Sequence, residues 1–234
     1  MTTINLCERV QKSKPKKESA YGALFFADGL LAGTSRIALY EAGAKDVRLI
    51  EVDPKTKRTP DGSDYLAIYP LGMVPLLRLD DGTLLTENAA ILQYLAARYP
   101  DAQLAPKDDV GRARLQQWLC FIGTELHKAV FIPLFDQKAP EGTRQHTLKR
   151  YDSRWRYLDD YLTGRQYLLD RFSVADAYLY AILNWTAPTN IDLAPWPAIK
   201  SYRDALHTRP SISKAFVEEM ALYKAALARH QAAA

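Results

Sequence analysis

The spacing of hydrophobic and polar positions divides the chain into two parts, and the first begins as a strand–helix–strand unit. YGALFFA indicates a strand, SRIALYEAG a short helix that ends near Gly43, and VRLIEV a second strand. Two strands joined through a helix lie parallel in one sheet. The pattern therefore predicts an α/β domain that opens with a βαβ unit.

A β-hairpin and a helix follow that unit. Asp81-Gly82 separates the apolar runs VPLLRL and TLLT, and this dipeptide favours a tight turn between two strands. The segment ENAAILQYLAARYP has its apolar residues on one helical face and ends at Pro100. Residues 21–100 are thus expected to form a small mixed sheet covered by helices.

Helical periodicity replaces the strand pattern in the second part of the chain. The stretch PDAQLAPKDD marks a linker, residues 101–108, and Ser173 with Asp176 forms a capping box ahead of an apolar run. Such a cap contributes about 1 kcal/mol and sets where a helix begins. We predict an all-helical domain over residues 109–234, with helices near 109–135, 142–163, 174–187, 196–207 and 211–229.

Charge and cysteine content limit the function classes. Residues 1–20 carry five basic and two acidic side chains, five minus two or +3, out of a net charge of +4. This basic N-terminal extension has no interleaved aromatic residues, so a solvated segment is favoured over a nucleic-acid or lipid ligand. Cys7 and Cys120 have neither disulfide-scaffold nor metal-ligand spacing. With no signal-like or 20-residue apolar run, we expect a cytoplasmic protein without metal, membrane or nucleic-acid partners.

Four segments in a specific order resemble the glutathione transferases, most closely the bacterial beta class. They are LGMVPLL with DDGTLLTENAAILQYLA, then TELHK, FSVADAYLYAILNW and PWPAIKSYRDALHTRP. The resemblance runs from Leu24 to the last helix. It implies a thioredoxin-like N-terminal domain of order βαβαββα, glutathione as co-substrate, a small hydrophobic electrophile, and a homodimer in which each N-terminal domain contacts the partner's helical domain.

The resemblance also implies glutathione-binding residues in the N-terminal domain. Val74-Pro75 is similar to the family's cis-proline turn, whose main chain pairs with the cysteinyl unit. Glu87 and Asn88 match the segment that holds the γ-glutamyl end at the first turn of a helix. Free N–H groups and the helix dipole suit a carboxylate there, and the Glu87 carboxylate suits an ammonium. The alternative is that Glu87 only complements the dipole of its own helix.

Further residues are implied on the first helix of the helical domain. His127 and Lys128 match the beta-class pair that faces the cleft, where His127 would donate to a sulfur or a carboxylate and Lys128 would bind glutathione. A surface or capping role is the alternative for His127. Trp118, Phe121 and Cys120 are the candidates for the electrophile pocket.

Two positions depart from the family pattern. Leu31 stands where the beta class has its cysteine, and Ala32 where it has a small hydroxyl residue, so neither side chain can hydrogen-bond a thiol. Main-chain N–H groups at a helix N-terminus still lower a thiol pKa, so we predict that backbone stabilises the thiolate. Thr34 and Ser35 are the nearest hydroxyls, and we predict that one of them, Thr34 ahead of Ser35, caps the first helix. The alternative is that a local rearrangement brings one of them to the sulfur, and Thr34 is the candidate for that catalytic role.

Three functions remain open at this stage. The first is a transferase that conjugates glutathione to a hydrophobic electrophile. The second is a non-catalytic glutathione-binding or protein-interaction module, like the stringent starvation proteins. The third is thiol–disulfide exchange through Cys120, which lies seven residues before His127 and is expected on the same helical face. A buried structural thiol is the alternative for Cys120.

Overall fold

A four-stranded mixed sheet forms the centre of the N-terminal domain. The computed structural model describes residues 22–27, 33–136 and 138–232. The strands are β1 (Gly22–Phe26), β2 (Val47–Glu51), β3 (Leu76–Arg78) and β4 (Leu84–Thr86), in the spatial order β2-β1-β3-β4. Strands β1 and β2 are parallel, and β3 is antiparallel to both β1 and β4. These pairings confirm the predicted βαβ unit and hairpin.

Two helices cover this sheet, α1 (Gly33–Glu41) and α2 (Asn88–Arg98). The second helix of the expected βαβαββα order is reduced to one 3-10 turn, Tyr65–Ala67. The segment before it contains prolines, a glycine and several aspartates, which favour turns over helix. The extension 1–20, Leu31 and Ala32 lie outside the described residues, so the predictions for them stay untested.

The second domain consists of helices, as predicted. They are α3 (Asp109–Phe135), α4 (Glu141–Leu162), α5 (Val174–Leu183), α6 (Pro197–His207) and α7 (Pro210–Ala232). The capping box is present at the start of α5: the Asp176 carboxylate accepts from the Ser173 backbone N–H at 2.8 Å. Asp176 also accepts from the Tyr202 hydroxyl at 2.7 Å. Helix α5 is buried along its whole length and forms the centre of this domain.

Helix α3 changes its hydrogen-bond pattern in the middle. It is α-helical to Phe121, π-helical over Ile122–Phe131, and α-helical again to Phe135. By length and composition alone, α3 would be able to cross a membrane. Many of its apolar side chains are instead part of the protein core, among them Leu119, Ile122 and Leu126. Burial within the protein accounts for the apolar character of this helix.

Packing and ion pairs hold the two domains together. Helix α1 packs against α5 and α7, and one hydrophobic core runs through both domains. Arg36 of α1 is only 5% exposed and pairs with Glu218 at 3.0 Å and Glu219 at 2.8 Å on α7. A bidentate pair at 2.6 Å joins Arg209 to Glu41 at the end of α1. The helical domain therefore fixes the position of α1.

Candidate functional site

The β3–β4 hairpin brings the two predicted glutathione-binding segments together. Leu76 lies opposite Thr86 in this antiparallel pair. One step further along the same register, the Val74-Pro75 turn lies opposite the segment Glu87–Asn88. The Val74–Pro75 peptide bond is cis, as the resemblance implies. The main chain at Val74 and the start of α2 thus meet at one edge of the sheet. The roles of these residues in glutathione binding remain predictions.

Two side chains that sequence reasoning missed hold the turn before Val74. The Tyr65 hydroxyl donates to the Met73 carbonyl at 2.7 Å, and Lys57 Nζ donates to the Gly72 carbonyl at 3.0 Å. Burial raises the pKa of Tyr65, so its hydroxyl remains a donor. Their partners are main-chain atoms of another segment, which no sequence pattern identifies. Together they fix the backbone that leads into the predicted binding position.

Glu87 has an unusual backbone conformation at the start of α2. Its φ is 67° and its ψ is 126°, outside the region that L-residues ordinarily occupy, and its side chain makes no capping hydrogen bond. The residue is exposed. A carboxylate that does not cap its own helix is available to an incoming ammonium, which favours the ligand interpretation of Glu87 over the dipole alternative.

Thr34 connects the starts of α1 and α2. It is the second residue of α1, so the prediction that it caps this helix was wrong. Its hydroxyl donates to Asn88 Oδ1 at 2.7 Å, and both side chains are buried. Because this proton is directed at Asn88, Thr34 is not oriented to donate to a sulfur in the present conformation. The structure thus places Thr34 beside the predicted binding segment but argues against the predicted catalytic role.

His127 is buried in the helical domain, next to Tyr178 and Trp185. It lies in the π-helical part of α3, 7% exposed, with Nδ1 3.0 Å from the Tyr178 hydroxyl and its ring 5.1 Å from that of Trp185. Burial, with a smaller contribution from the Lys128 charge, lowers the pKa of His127 to about 4. The imidazole is therefore neutral at neutral pH. Within the described part of the chain, no group hydrogen-bonds its buried Nε2 atom.

Tyr178 links His127 to the N-terminal domain, and sequence reasoning did not identify it. Burial raises the pKa of Tyr178 to about 12, while the neighbouring Asn88 side chain acts in the opposite direction and Glu87 raises it further. The hydroxyl thus lies between the imidazole and the start of α2. The only sequence signal was its place within the segment FSVADAYLYAILNW, where it resembles an ordinary core residue.

The other predicted residues of α3 do not surround one pocket. Trp118 is 3% exposed, and its ring centroid lies 4.5 Å from that of Tyr161 of α4 in a tilted pair, which is a core position of the helical domain. Phe121 is partly buried beside it, and Lys128 is exposed. Of the predicted aromatic pair, only Phe121 has surface that a substrate can contact.

The expectation that Cys120 and His127 share a helical face was wrong. Cys120 is an exposed free thiol, whereas His127 is buried. Seven residues make two turns only in an α-helix, and the π-helical segment that starts at Ile122 has wider i→i+5 turns. The alternative of a buried structural thiol is likewise excluded. His127 therefore has no path along this face to activate the Cys120 thiol.

Surface cavities occur elsewhere on the described structure. One of about 430 Å³ and one of about 270 Å³ lie along the linker, and both include Gln103 and Lys107 in their lining. None of the predicted site residues lines either cavity. In the part of the chain that the structure describes, no cluster of three or more His, Cys, Asp or Glu is placed to hold a metal ion.

A mixed sheet with a cis-proline turn beside a helix start, packed on a helical domain, defines the class of thioredoxin-like transferases. Sequence comparison agrees: the model for "Glutathione S-transferase, N-terminal domain" matches residues 26–103, and that for the C-terminal domain matches residues 121–210. The chain is 39% identical to the glutathione S-transferase GstA of Escherichia coli O157:H7, over 84% of this chain and 98% of the relative. This chain belongs to the glutathione S-transferase family.

Solved structures give the same assignment. A sphingomonad glutathione S-transferase complexed with glutathione superposes with a TM-score of 0.80 at 39% identity, covering 84% of this chain and 98% of the other. A bacterial beta-class glutathione S-transferase from Sphingomonas chungbukensis gives 0.79 at 38% identity with the same coverage. The resemblance to the beta class found in the sequence is confirmed by these structures.

Proposed function

We propose that this protein is a transferase that conjugates glutathione to a hydrophobic electrophile. One observation carries the proposal: the hairpin register and the Thr34–Asn88 hydrogen bond bring the cis turn at Val74, the Glu87 carboxylate and the start of α1 to one edge of the sheet. A peptide substrate with a carboxylate, an ammonium and a thiol requires these three kinds of contact. Relatives that are 38–39% identical carry the same activity in their names.

The thiolate is held without a side chain from position 31. Main-chain N–H groups at the start of α1 are the first source of stabilisation, because a helix N-terminus favours an anion. The His127 Nε2 atom, buried and not hydrogen-bonded by the described residues, is the second. A neutral imidazole can donate one N–H to sulfur without adding a buried charge. Confinement of both reactants then supplies much of the rate.

The electrophile lies on the helical-domain side of the cleft. Phe121 is the residue of the predicted aromatic pair with accessible surface. An apolar lining selects substrates by size and shape.

Calorimetric titration with glutathione, followed by an aryl halide conjugation assay, tests the proposal. Glu87→Gln should weaken glutathione binding about fivefold, equivalent to about 1 kcal/mol, because it removes the charge that faces the ammonium. Glu141→Gln is the matched control, since Glu141 is also exposed in the first turn of a helix. Binding without conjugation would assign the protein to the non-catalytic class. No binding at millimolar glutathione would refute both the transferase and the glutathione-binding module.

We also propose a homodimer that works in the reducing cytoplasm. Leu66, Leu71 and Met73 form an exposed apolar patch beside the cis turn, and Leu71 is 70% exposed. Burial of such a patch against a second copy removes it from water. The exposed free Cys120 suits a reducing compartment. Light scattering on the wild type and on Leu71→Ser should give a dimer and a weakened dimer, respectively.

A further inference from the structure

We propose that Tyr178 is a positioning residue that holds His127 in the tautomer protonated on Nε2, at the end of a chain of buried polar groups that begins in the N-terminal domain. The chain runs Thr34, Asn88, Tyr178, His127, from the start of α1 to the middle of α3, and hydrogen bonds join its first two and its last two members. The role in catalysis rests on the proposed function, because the Nε2 proton is the one offered to the glutathione sulfur. The contacts of Asn88, Tyr178 and His127 determine which atom donates and which accepts at each position.

The first step fixes the orientation of the Asn88 amide. Thr34 Oγ1 lies 2.7 Å from Asn88 Oδ1, and both groups are buried. An amide oxygen only accepts, so the Thr34 hydroxyl is the donor. The amide nitrogen of Asn88 then lies on the other side of the side chain. It too is buried, and it meets no hydrogen-bond acceptor within 3.5 Å among the described residues.

The second step sets the direction of the Tyr178 proton. The buried hydroxyl lies 3.0 Å from His127 Nδ1, and no hydrogen bond joins it to the Asn88 amide nitrogen among the described residues. If Nδ1 donated to the phenol oxygen, the buried Tyr178 proton would need a second acceptor, whereas donation to Nδ1 satisfies both groups. The neighbouring Asn88 side chain lowers the pKa of the phenol against the larger rise from burial, which agrees with a proton turned away from Asn88.

The third step sets the tautomer of His127. The Tyr178 hydroxyl lies 3.0 Å from Nδ1, and a hydroxyl that donates to Nδ1 requires an unprotonated nitrogen there. Because the imidazole is neutral, its one proton is then on Nε2. That atom is buried and has no hydrogen-bond partner among the described side chains and backbone. An N–H donor thus stands at the end of the chain.

The direction matters because a thiolate only accepts hydrogen bonds. With the proton on Nε2, the imidazole stabilises the sulfur anion. The opposite tautomer would direct a lone pair at the sulfur and raise the energy of the anion. Loss of one preorganised donor at a developing anion costs about 10²–10³ in rate where it is the main donor. Since main-chain donors remain at the start of α1, we expect a loss of about tenfold in kcat, with little change in glutathione affinity.

Nuclear magnetic resonance of ¹⁵N-histidine-labelled protein tests the inference without glutathione. Two-bond ¹H–¹⁵N spectra distinguish a protonated from an unprotonated ring nitrogen, and wild type should show Nε2 protonated. Tyr178→Phe should leave a mixture of the two tautomers. Tyr180→Phe is the matched control: Tyr180 lies on the same helix, is buried, and contacts His207 Nδ1 at 2.6 Å instead. It should leave the His127 signals and kcat unchanged.

Asn88→Asp is the stronger test, because it should reverse the tautomer. The introduced carboxylate accepts from Thr34 as the amide oxygen does, its negative charge attracts the neighbouring Tyr178 proton, and the first residue of a helix stabilises that charge. Tyr178 must then accept from His127, which moves the imidazole proton to Nδ1. Three results would each overturn the inference. They are a wild-type His127 protonated on Nδ1, an Asn88→Asp variant with the wild-type tautomer, and a Tyr178→Phe variant with a single tautomer instead of a mixture. A correct tautomer pattern in a protein that conjugates nothing would instead refute only the proposed function.

Discussion

Replacement of Glu87 by glycine and by alanine should separate backbone strain from ligand binding. Both variants remove the carboxylate that we assign to the glutathione ammonium. Only glycine adopts φ = 67° without a Cβ penalty. Glu87 is exposed and makes no capping hydrogen bond, so the loss of the carboxylate itself should change the free energy of unfolding little.

The backbone geometry sets the size of the effect. A non-glycine residue in such a sparsely populated region costs about 1–3 kcal/mol. Glycine recovers this strain but loses about 0.5–1 kcal/mol in chain entropy relative to alanine. The difference predicts that Glu87→Gly is more stable than Glu87→Ala by about 1 kcal/mol. Glutathione affinity should fall about fivefold in both variants, because each lacks the same charge.

Urea unfolding and calorimetric titration measure the two effects separately. Glu141 supplies a control of opposite sign, because it lies in the first turn of a regular helix. There the glycine variant should be less stable than the alanine variant by up to about 1 kcal/mol. Equal stability of the two Glu87 variants would show that the backbone relaxes readily. Glutathione affinity of wild-type strength in both variants would show that the carboxylate does not contact the ligand.

Three further predictions concern buried groups. Arg36→Met removes the buried charge that pairs with Glu218 and Glu219 of α7 and should cost about 3–5 kcal/mol in urea unfolding, whereas Arg229→Met, whose side chain is about half exposed, should cost about 1 kcal/mol or less; equal losses would contradict the inference that the Arg36 ion pairs fix the position of α1. The pKa of His127 lies at about 4 in the folded protein, below its ordinary value of about 6.5. Because the unfolded chain takes up this proton first, the free energy of unfolding is highest above pH 6.5 and decreases as the pH falls toward 4. Wild type should therefore lose about 3 kcal/mol more stability than His127→Gln between pH 7 and pH 4; parallel pH profiles in urea unfolding would contradict this. Trp118→Ala should lower the free energy of unfolding by about 3–5 kcal/mol, whereas Phe121→Ala should mainly raise the KM for the electrophile; the reverse pattern would place Trp118 in the pocket.

Much of the fold follows from local patterns in the chain. Asp81-Gly82 predicted the hairpin, Ser173 with Asp176 predicted the start of α5, and apolar periodicity predicted the helices of the second domain. Each of these signals depends on residues within one turn or one strand pair, so sequence neighbours carry the information. The cis turn at Val74 came from family resemblance, since the dipeptide alone rarely has that geometry.

The polar chain through the site depends on contacts between distant parts of the chain. Thr34 meets Asn88 54 positions later, and His127 meets Tyr178 51 positions later. Each of these contacts joins distant elements of one domain, so it depends on how those elements pack in three dimensions, which no local pattern encodes. The prediction that Cys120 and His127 share a helical face was also wrong, because the π-helical segment of α3 places the two side chains on different faces. Residue types and local periodicity thus specified the elements and most candidate residues, whereas tertiary packing decided which of them face each other, because a hydrogen bond requires an approach within about 3.5 Å.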